Sequence, residues 1–160
     1  MTETIQAAVV IERRYKATPE ELWALWTTKE GFESWWGPEG FRVEVHAMDA
    51  RAGGKLDYDM IADAPEAIAA MKEMGQPVSH GTHGWFGVVE PHSKLTLLHM
   101  IDFVPGMEPY ETKIEVDFYP DGDHTRMITT LHPHLDPHWT QMSVEGYSSQ
   151  LTKLDRRYGI

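Results

Sequence analysis

The chain has 160 residues, of which 41% are hydrophobic and none is cysteine. This length favours one domain over residues 1–160, and the lack of cysteine excludes disulfide frameworks and thiolate chemistry. The 25 acidic and 14 basic residues give a formal net charge of −11. We therefore expect no nucleic-acid partner, because polyanions bind to clustered lysine and arginine.

The sequence also argues against a membrane partner. It has no apolar run of the length that spans a bilayer. Its first residues do not join a basic region to a hydrophobic one, as a secretory signal does. We therefore expect a cytoplasmic location by default.

The N-terminal part predicts a strand followed by two short helices. Residues 7–15 alternate, with Val9, Ile11 and Tyr15 on one face. Thr18 and Pro19 then provide a helix cap and a first helical residue, which predicts a helix start. A second short helix is predicted over residues 29–36.

Two adjacent tryptophans, Trp35 and Trp36, come at the end of this second helix. Gly37-Pro38 ends the helix, because proline removes a donor and disfavours a helical predecessor. Neighbouring residues cannot share one side of a helix, so we expect at least one ring to leave the packed face. Trp36 is the better candidate for the inward ring. The corner is either a core plug or the wall of a ligand cavity.

The rest of the chain predicts mainly strands and one long final helix. We predict strands over residues 41–46, 55–60, 84–90, 95–104, 112–119 and 126–131. An inserted helical segment is predicted over about 63–75, and an amphipathic helix over 137–158. A long antiparallel sheet must curl, and only the last helix can cover its concave face. The expected fold is α+β, with a curved antiparallel sheet around the C-terminal helix.

Three glycines bear on this fold. Gly53-Gly54 precedes a predicted strand and is expected to let the chain bend where a side chain would clash. Gly146 lies inside the last helix, where glycine costs about 1 kcal/mol relative to alanine. Either close packing against the sheet or space for a guest explains it, and we favour packing.

The inserted segment allows two interpretations. Its helix carries Ile68, Met71 and Met74, and unbranched methionines adapt to irregular partners. The helix is either a lid over the mouth of the curved sheet or a permanently packed element. The sequence leaves both open.

His99 is the histidine of most interest. Period-two alternation places it on one strand face with Leu97 and Ile101. On a cavity wall, His99 could orient a ligand or act as an acid or base near neutral pH. The interpretation that we favour is a hydrogen-bonded core histidine or an outward-facing one.

Other polar groups carry weaker hypotheses. Asp57 and Asp59 share a strand face, and an outward solvated face explains them better than an acid–base pair. The segment 132–138 contains three histidines and an aspartate that could bind a metal, but the spacing is not a familiar zinc pattern. His80 and His83 form a weaker metal candidate. We expect no metal, no other cofactor and no catalytic triad.

Several ordered motifs carry a resemblance to a known family. They are Ala17-Thr18-Pro19-Glu20-Glu21-Leu22-Trp23, Trp35-Trp36-Gly37-Pro38, Arg51-Ala52-Gly53-Gly54-Lys55-Leu56, Gly84-Trp85-Phe86-Gly87-Val88-Val89-Glu90-Pro91 and Glu145-Gly146-Tyr147 with Leu151 and Leu154. With these motifs the chain resembles the SRPBCC (START-like, helix-grip) superfamily of the birch-pollen allergen and lipid-transfer domains. The closest branch is that of the homologues of the activator of the heat-shock-protein ATPase. The resemblance covers nearly the whole chain.

The resemblance implies the binding of a small hydrophobic or amphipathic ligand between the sheet and the last helix. Such pockets are apolar with a few placed polar groups. Strand and helix periodicity then selects the expected wall residues, with no catalytic residue among them. These are Trp36, Tyr58, Met60, Phe86, His99, Met127, Met142 and Tyr147.

Two alternative functions stay open at this point. The wider superfamily includes polyketide cyclases and aromatases, so an enzyme could use His99, Tyr58 and Tyr147 in the same cavity. A co-chaperone role is the other, suggested by the name of the branch. We expect no chaperone ATPase partner, because the eukaryotic activators carry a further N-terminal domain for which this chain has no room. A homodimer is compatible with the sequence.

Overall fold

The computed structural model describes residues 7–102, 106 and 108–159. Within these residues, seven strands form one sheet that is combined with four helices. The strands are β1 (Val9–Tyr15), β2 (Phe41–Met48), β3 (Lys55–Ala62), β4 (Ser79–Glu90), β5 (Lys94–Ile101), β6 (Tyr110–Asp121) and β7 (His124–Leu131). The helices are α1 (Pro19–Thr27), α2 (Lys29–Glu33), α3 (Pro65–Glu73) and α4 (Pro137–Arg157). No helix in this part of the chain is both long enough and apolar enough to cross a membrane.

The sheet is antiparallel throughout and has the strand order β1-β7-β6-β5-β4-β3-β2. Helix α4 packs on its inner face. The hydroxyl of Tyr15 in β1 donates to Asp155 of α4 at 2.7 Å, and the hydroxyls of Thr129 in β7 and Tyr147 in α4 lie 2.6 Å apart. The predicted α+β arrangement, a sheet wrapped around the C-terminal helix, is confirmed.

The predicted helix starts are confirmed, but some element ends differ. Thr18 Oγ1 accepts from the amide of Glu21 at 3.1 Å, which caps α1. Helix α2 ends at Glu33 rather than at residue 36, because the chain tightens there into three-residue bonds, from Ser34 N to Gly31 O and from Trp35 N to Phe32 O. Strand β4 begins at Ser79 rather than at residue 84, since its polar first half also pairs with β3. Strand β5 ends at Ile101, and residues 103–104 of the predicted strand lie outside the described residues.

Both tryptophans of the corner are buried, so the expectation that one ring leaves the packed face is wrong. Trp35 is 1% exposed and Trp36 is 4% exposed. Because α2 ends before them, the two rings turn toward different neighbours. The indole of Trp35 donates to Leu25 O at 2.9 Å and meets Trp26 edge-on, whereas Trp36 stacks on Phe32 with the ring centroids 4.5 Å apart.

The Gly53-Gly54 turn before β3 is needed for steric reasons. Gly53 has a φ of +79°, in the left-handed region that favours glycine. A Cβ at Gly54 would collide with the carbonyl oxygen of Asp49. The turn also pairs with β4, since Gly53 N donates to Phe86 O at 2.7 Å. The expected role of these glycines is confirmed.

Helix α3 lies beside the turn that precedes β2. The amide of Ala64, just before the helix, donates to Gly40 O at 3.0 Å, and a Cβ at Gly40 would lie 3.2 Å from Ala67. None of the residues of α3 is buried, and Met74 after it is 63% exposed. The helix therefore rests on the outside of the domain.

Candidate functional site

A pocket of about 230 Å³ lies between the inner face of the sheet and helix α4. Its walls come from β3 to β7, from the loop after β7, from α4 and from the tryptophan corner. The lining residues are Trp36, Pro38, Tyr58, Met60, His80, Thr82, His99, Ile101, Thr112, Lys113, Ile114, Leu131, His132, His134, Met142, Ser143, Gly146, Tyr147 and Gln150. The wall is thus largely aromatic and aliphatic, with histidines and a few amide and hydroxyl groups among the apolar side chains.

Six of the eight expected wall residues lie around this pocket. They are Trp36, Tyr58, Met60, His99, Met142 and Tyr147. Helix α3 contributes no lining residue among those described, so the structure does not place it over this pocket as a lid.

The structure separates the other two expected wall residues, Phe86 and Met127, from the pocket. Both point inward as expected, but they are 0% and 1% exposed and lie in the packed core. Phe86 is next to the Gly53-Gly54 turn, and Met127 pairs with Arg13 and Phe118. Strand alternation assigns a residue to a face of the sheet, whereas its position along the strand decides whether it lies in the core or lines the pocket.

A chain of hydrogen bonds crosses one wall of the pocket. The indole N–H of Trp36 donates to the hydroxyl of Tyr58 at 3.0 Å, and that hydroxyl lies 3.1 Å from His99 Nε2. The rings of Trp36 and His99 are stacked, with an interplanar angle of 20°. Since Tyr58 accepts from Trp36, its own proton is free to be donated to His99 Nε2.

Burial controls the ionisation of these groups. Desolvation, with a further contribution from the nearby His134, lowers the pKa of His99 from 6.5 to about 4. Desolvation also raises the pKa of the Tyr58 hydroxyl well above its usual value. The same cause lowers the pKa values of His80 and His134, both of which line the pocket. These polar groups of the wall are therefore mainly uncharged near neutral pH.

Helix α4 forms the opposite wall and opens space at Gly146. A Cβ added at Gly146 would have no heavy atom of the described residues within 4 Å beyond its own helical backbone and chain neighbours. Gly146 is among the lining residues. The preferred interpretation, close packing of this glycine against the sheet, is therefore wrong, and the alternative of open space is correct.

Gln150, one turn beyond Gly146, combines burial with an unpaired donor. It is 4% exposed, and its Oε1 accepts from the amide of Gly37 at 3.0 Å. Its Nε2 is buried without a hydrogen-bond partner among the residues that the structure describes. The side chain thus ties α4 to the tryptophan corner and also lines the pocket.

Sequence reasoning missed Gln150 and several strand residues of the wall. Helical spacing from Tyr147 would have found Gln150 three residues later, just as it relates Ser143 and Gly146 to the same face. His80 and Thr82 were missed because the start of β4 was placed too late. The loop residues His132 and His134 follow no periodic pattern that could have placed them.

The remaining polar groups take structural positions. Asp57 and Asp59 face outward, with His83 3.3 Å and His46 2.9 Å from their respective carboxylates. Asp136 caps α4 by accepting from the amide of His138 at 2.8 Å. In the described part of the chain, no group of three or more His, Asp or Glu side chains could hold a metal ion.

Solved structures of several bacterial proteins share this fold. A protein from Silicibacter pomeroyi, described as AHSA1, has a TM-score of 0.73 at 21% identity, with 94% of this chain and 96% of that chain covered. A protein from Chromobacterium violaceum has a TM-score of 0.71 at 20% identity, with coverages of 94% and 96%. One from Staphylococcus epidermidis has a TM-score of 0.72 at 20% identity, with coverages of 98% and 92%. At these identities the likeness concerns the fold alone.

A match to a family model shows more than a shared fold. The search of curated proteins found no match. The model described as "Activator of Hsp90 ATPase homolog 1-like protein" matches residues 16–159, which is nearly the whole chain. This match confirms the resemblance that the motifs indicated. The chain therefore belongs to the family of activator of Hsp90 ATPase homolog 1-like proteins.

Proposed function

We propose that this protein binds a small, largely apolar ligand in the pocket between the sheet and α4. The pocket has the composition of a ligand site, since aromatic and aliphatic walls enclose a few polar groups. Its inner wall is held in place by the hydrogen bonds from Trp36 to Tyr58 and between Tyr58 and His99. A rigid wall lowers the entropy that binding costs.

The observation that carries the proposal is Gly146. Glycine inside a helix costs about 1 kcal/mol relative to alanine, and no neighbouring atom in the described part of the chain requires its presence here. A packing role would place sheet atoms against the missing Cβ. What the missing side chain leaves instead is volume in the pocket, which supports a guest.

The pocket volume limits the size of the guest. Pockets for drug-sized ligands have volumes of about 300–1,000 Å³, and an apolar cavity of about 150 Å³ is large enough to bind benzene. At about 230 Å³, this pocket fits a compact molecule with one ring or a short branched chain.

The contact between Tyr58 and His99 favours a second candidate, an acid–base enzyme that uses the same pocket. General bases work best when their pKa lies near the operating pH. Burial lowers the pKa of His99 to about 4, so the neutral ring is a weak base. Its Nε2 also faces the Tyr58 hydroxyl at 3.1 Å. Orientation of a bound molecule therefore accounts for these groups better than proton transfer does.

Two substitutions at Gly146 test the proposal. Gly146→Phe directs a ring into the open space and is expected to weaken ligand binding at least ten-fold. Gly146→Ala adds one methyl group, so it should retain binding and raise the free energy of unfolding by about 1 kcal/mol. Binding is measured by thermal shift against a panel of fatty acids, aromatic compounds and polyketides, and by native mass spectrometry of co-purified small molecules.

The two variants separate binding from folding. Gly146→Phe should remain folded, because the helix propensity of phenylalanine is no worse than that of glycine. Wild-type affinity in a folded Gly146→Phe protein would contradict the proposed pocket. So would the absence of any bound or stabilising compound for the wild-type protein.

A further inference from the structure

Gln150 has an orientation that the structure defines without ambiguity. Its Oε1 lies 3.0 Å from the backbone nitrogen of Gly37. A backbone N–H can only donate, so the oxygen of the amide must face Gly37. The NH₂ group consequently points away from Gly37.

This NH₂ group is a buried donor of a residue that lines the pocket. Nε2 is enclosed, and within the described residues it has no hydrogen-bond partner. Nearly all buried polar groups in folded proteins have such a partner, so an unpaired one requires an explanation. Gln150 lines the pocket together with Trp36 and Tyr147, whose rings offer apolar contacts. An acceptor on a molecule in the pocket would satisfy the donor once the side chains that enclose Nε2 shift to admit it.

We propose that the ligand carries a neutral carbonyl group, whose oxygen accepts a hydrogen bond from Gln150 Nε2 while its apolar body packs on Trp36 and Tyr147. This inference rests on the proposed function and adds the chemical class of the ligand.

The charges around the pocket favour a carbonyl over a carboxylate. A buried carboxylate needs a cation beside it. His80, His99 and His134 have pKa values below their usual value, so they are neutral at pH 7. Lys113 lies between Thr112 and Ile114 in β6, and strand alternation directs its side chain to the other face.

A matched pair of probes tests the proposal. Acetophenone and α-methylstyrene have the same shape and the same number of non-hydrogen atoms, but only acetophenone has a carbonyl oxygen. We expect wild-type protein to bind acetophenone about ten-fold or more tightly, because α-methylstyrene leaves the buried donor unpaired. Protein-observed NMR titration gives both affinities. The Trp36 indole resonance reports occupancy by either probe, and the Gln150 side-chain resonance should move strongly with acetophenone alone.

Two variants assign the preference to Gln150. Gln150→Glu keeps an oxygen for the Gly37 amide but replaces the NH₂ donor with a second oxygen. Gln150→Leu removes the donor without adding a group that could take up a proton and donate it. In Gln150→Leu the affinity for acetophenone should fall to about that for α-methylstyrene. In Gln150→Glu it should fall to the same level or below it.

The outcomes separate this inference from the proposed function. Equal affinities of the two probes for the wild-type protein would overturn the carbonyl assignment but leave the pocket proposal intact. An ordered water bound to Nε2 would produce this result. An unchanged ratio of the two affinities in both variants would also overturn the assignment. Tighter binding of benzoate than of acetophenone would overturn the carbonyl assignment and indicate a carboxylate ligand. If neither probe moves the Trp36 resonance, the carbonyl assignment fails, and the compound panel used for the proposed function decides whether the pocket binds another ligand.

Discussion

His99 shows at the scale of one residue how burial changes chemistry. It is 7% exposed and stacks on Trp36, with Tyr58 near its Nε2. His134 is close enough to disfavour a second positive charge. Because the charged imidazolium would lose its hydration here, the neutral ring is favoured, and the pKa falls from 6.5 to about 4.

This shift predicts a dependence of stability on pH. Above about pH 6.5, His99 is neutral in both the folded and the unfolded chain and has no effect. Between pH 6.5 and pH 4 only the unfolded chain takes up the proton, so the free energy of unfolding should fall as the pH falls. The loss over the whole interval is roughly 3 kcal/mol. Urea-induced unfolding at a series of pH values measures it.

The variant His99→Gln isolates this contribution from those of the other titrating groups. Glutamine does not titrate, so the difference in unfolding free energy between wild type and variant should shrink as the pH falls from 6.5 to 4. A difference that stays constant over this interval would show that His99 is not buried as a neutral ring.

Strands β4 and β5 show at the scale of the element why one glycine is required and another is not. A Cβ at Gly84 would collide with the carbonyl oxygen of Leu98 on the neighbouring strand. Among the described residues, a Cβ at Gly81 on the same strand would meet only Asp59 Oδ1 at 3.5 Å, an ordinary contact. Their substitution should therefore have very different effects.

We expect Gly84→Ala to destabilise the protein by about 1–3 kcal/mol, because the two strands must move apart. Gly81→Ala is the matched control and should change the free energy of unfolding by no more than about 0.5 kcal/mol. Both values come from urea denaturation. Equal effects of the two substitutions would mean that the strands approach each other less closely at Gly84 than the structure has them.

At the scale of the whole molecule, the tryptophan corner is attached to α4 by contacts between distant parts of the chain. Lys153 Nζ donates to Gly37 O at 2.8 Å and to Phe41 O at 3.0 Å. Gln150 accepts from Gly37 N, and Ser149 Oγ accepts from Glu39 N at 2.9 Å. Since the corner and α4 both line the pocket, these bonds fix the position of the two walls relative to each other.

Substitution of Lys153 tests this attachment. Burial lowers the pKa of Lys153, yet its ammonium group still donates to the two carbonyls. Lys153→Met retains most of the apolar stem but leaves both carbonyls without this donor, so we expect a loss of about 1–3 kcal/mol in urea denaturation. Lys16→Met removes a lysine whose side chain is 71% exposed and should have little effect. Equal stability of the two variants would argue against the attachment.

Much of the fold was predictable because its signals are local. Thr18 with Pro19 predicted the start of α1, and alternation predicted the inward faces of β3 and β5, with Tyr58 and His99 on them. The ends of α2 and β4 were misplaced, since the first depends on a turn at Ser34 and the second on pairing with β3.

The sequence alone determined the order and type of the elements, their inward faces and the family, because periodicity, capping and glycine motifs act over a few residues. Only the tertiary structure decided that Phe86 belongs to the core while Tyr58 lines the pocket. It also decided that Gln150 meets Gly37, 113 residues away, and keeps a donor with no partner among the described residues. These properties are distances between elements far apart in the chain, which local patterns do not encode.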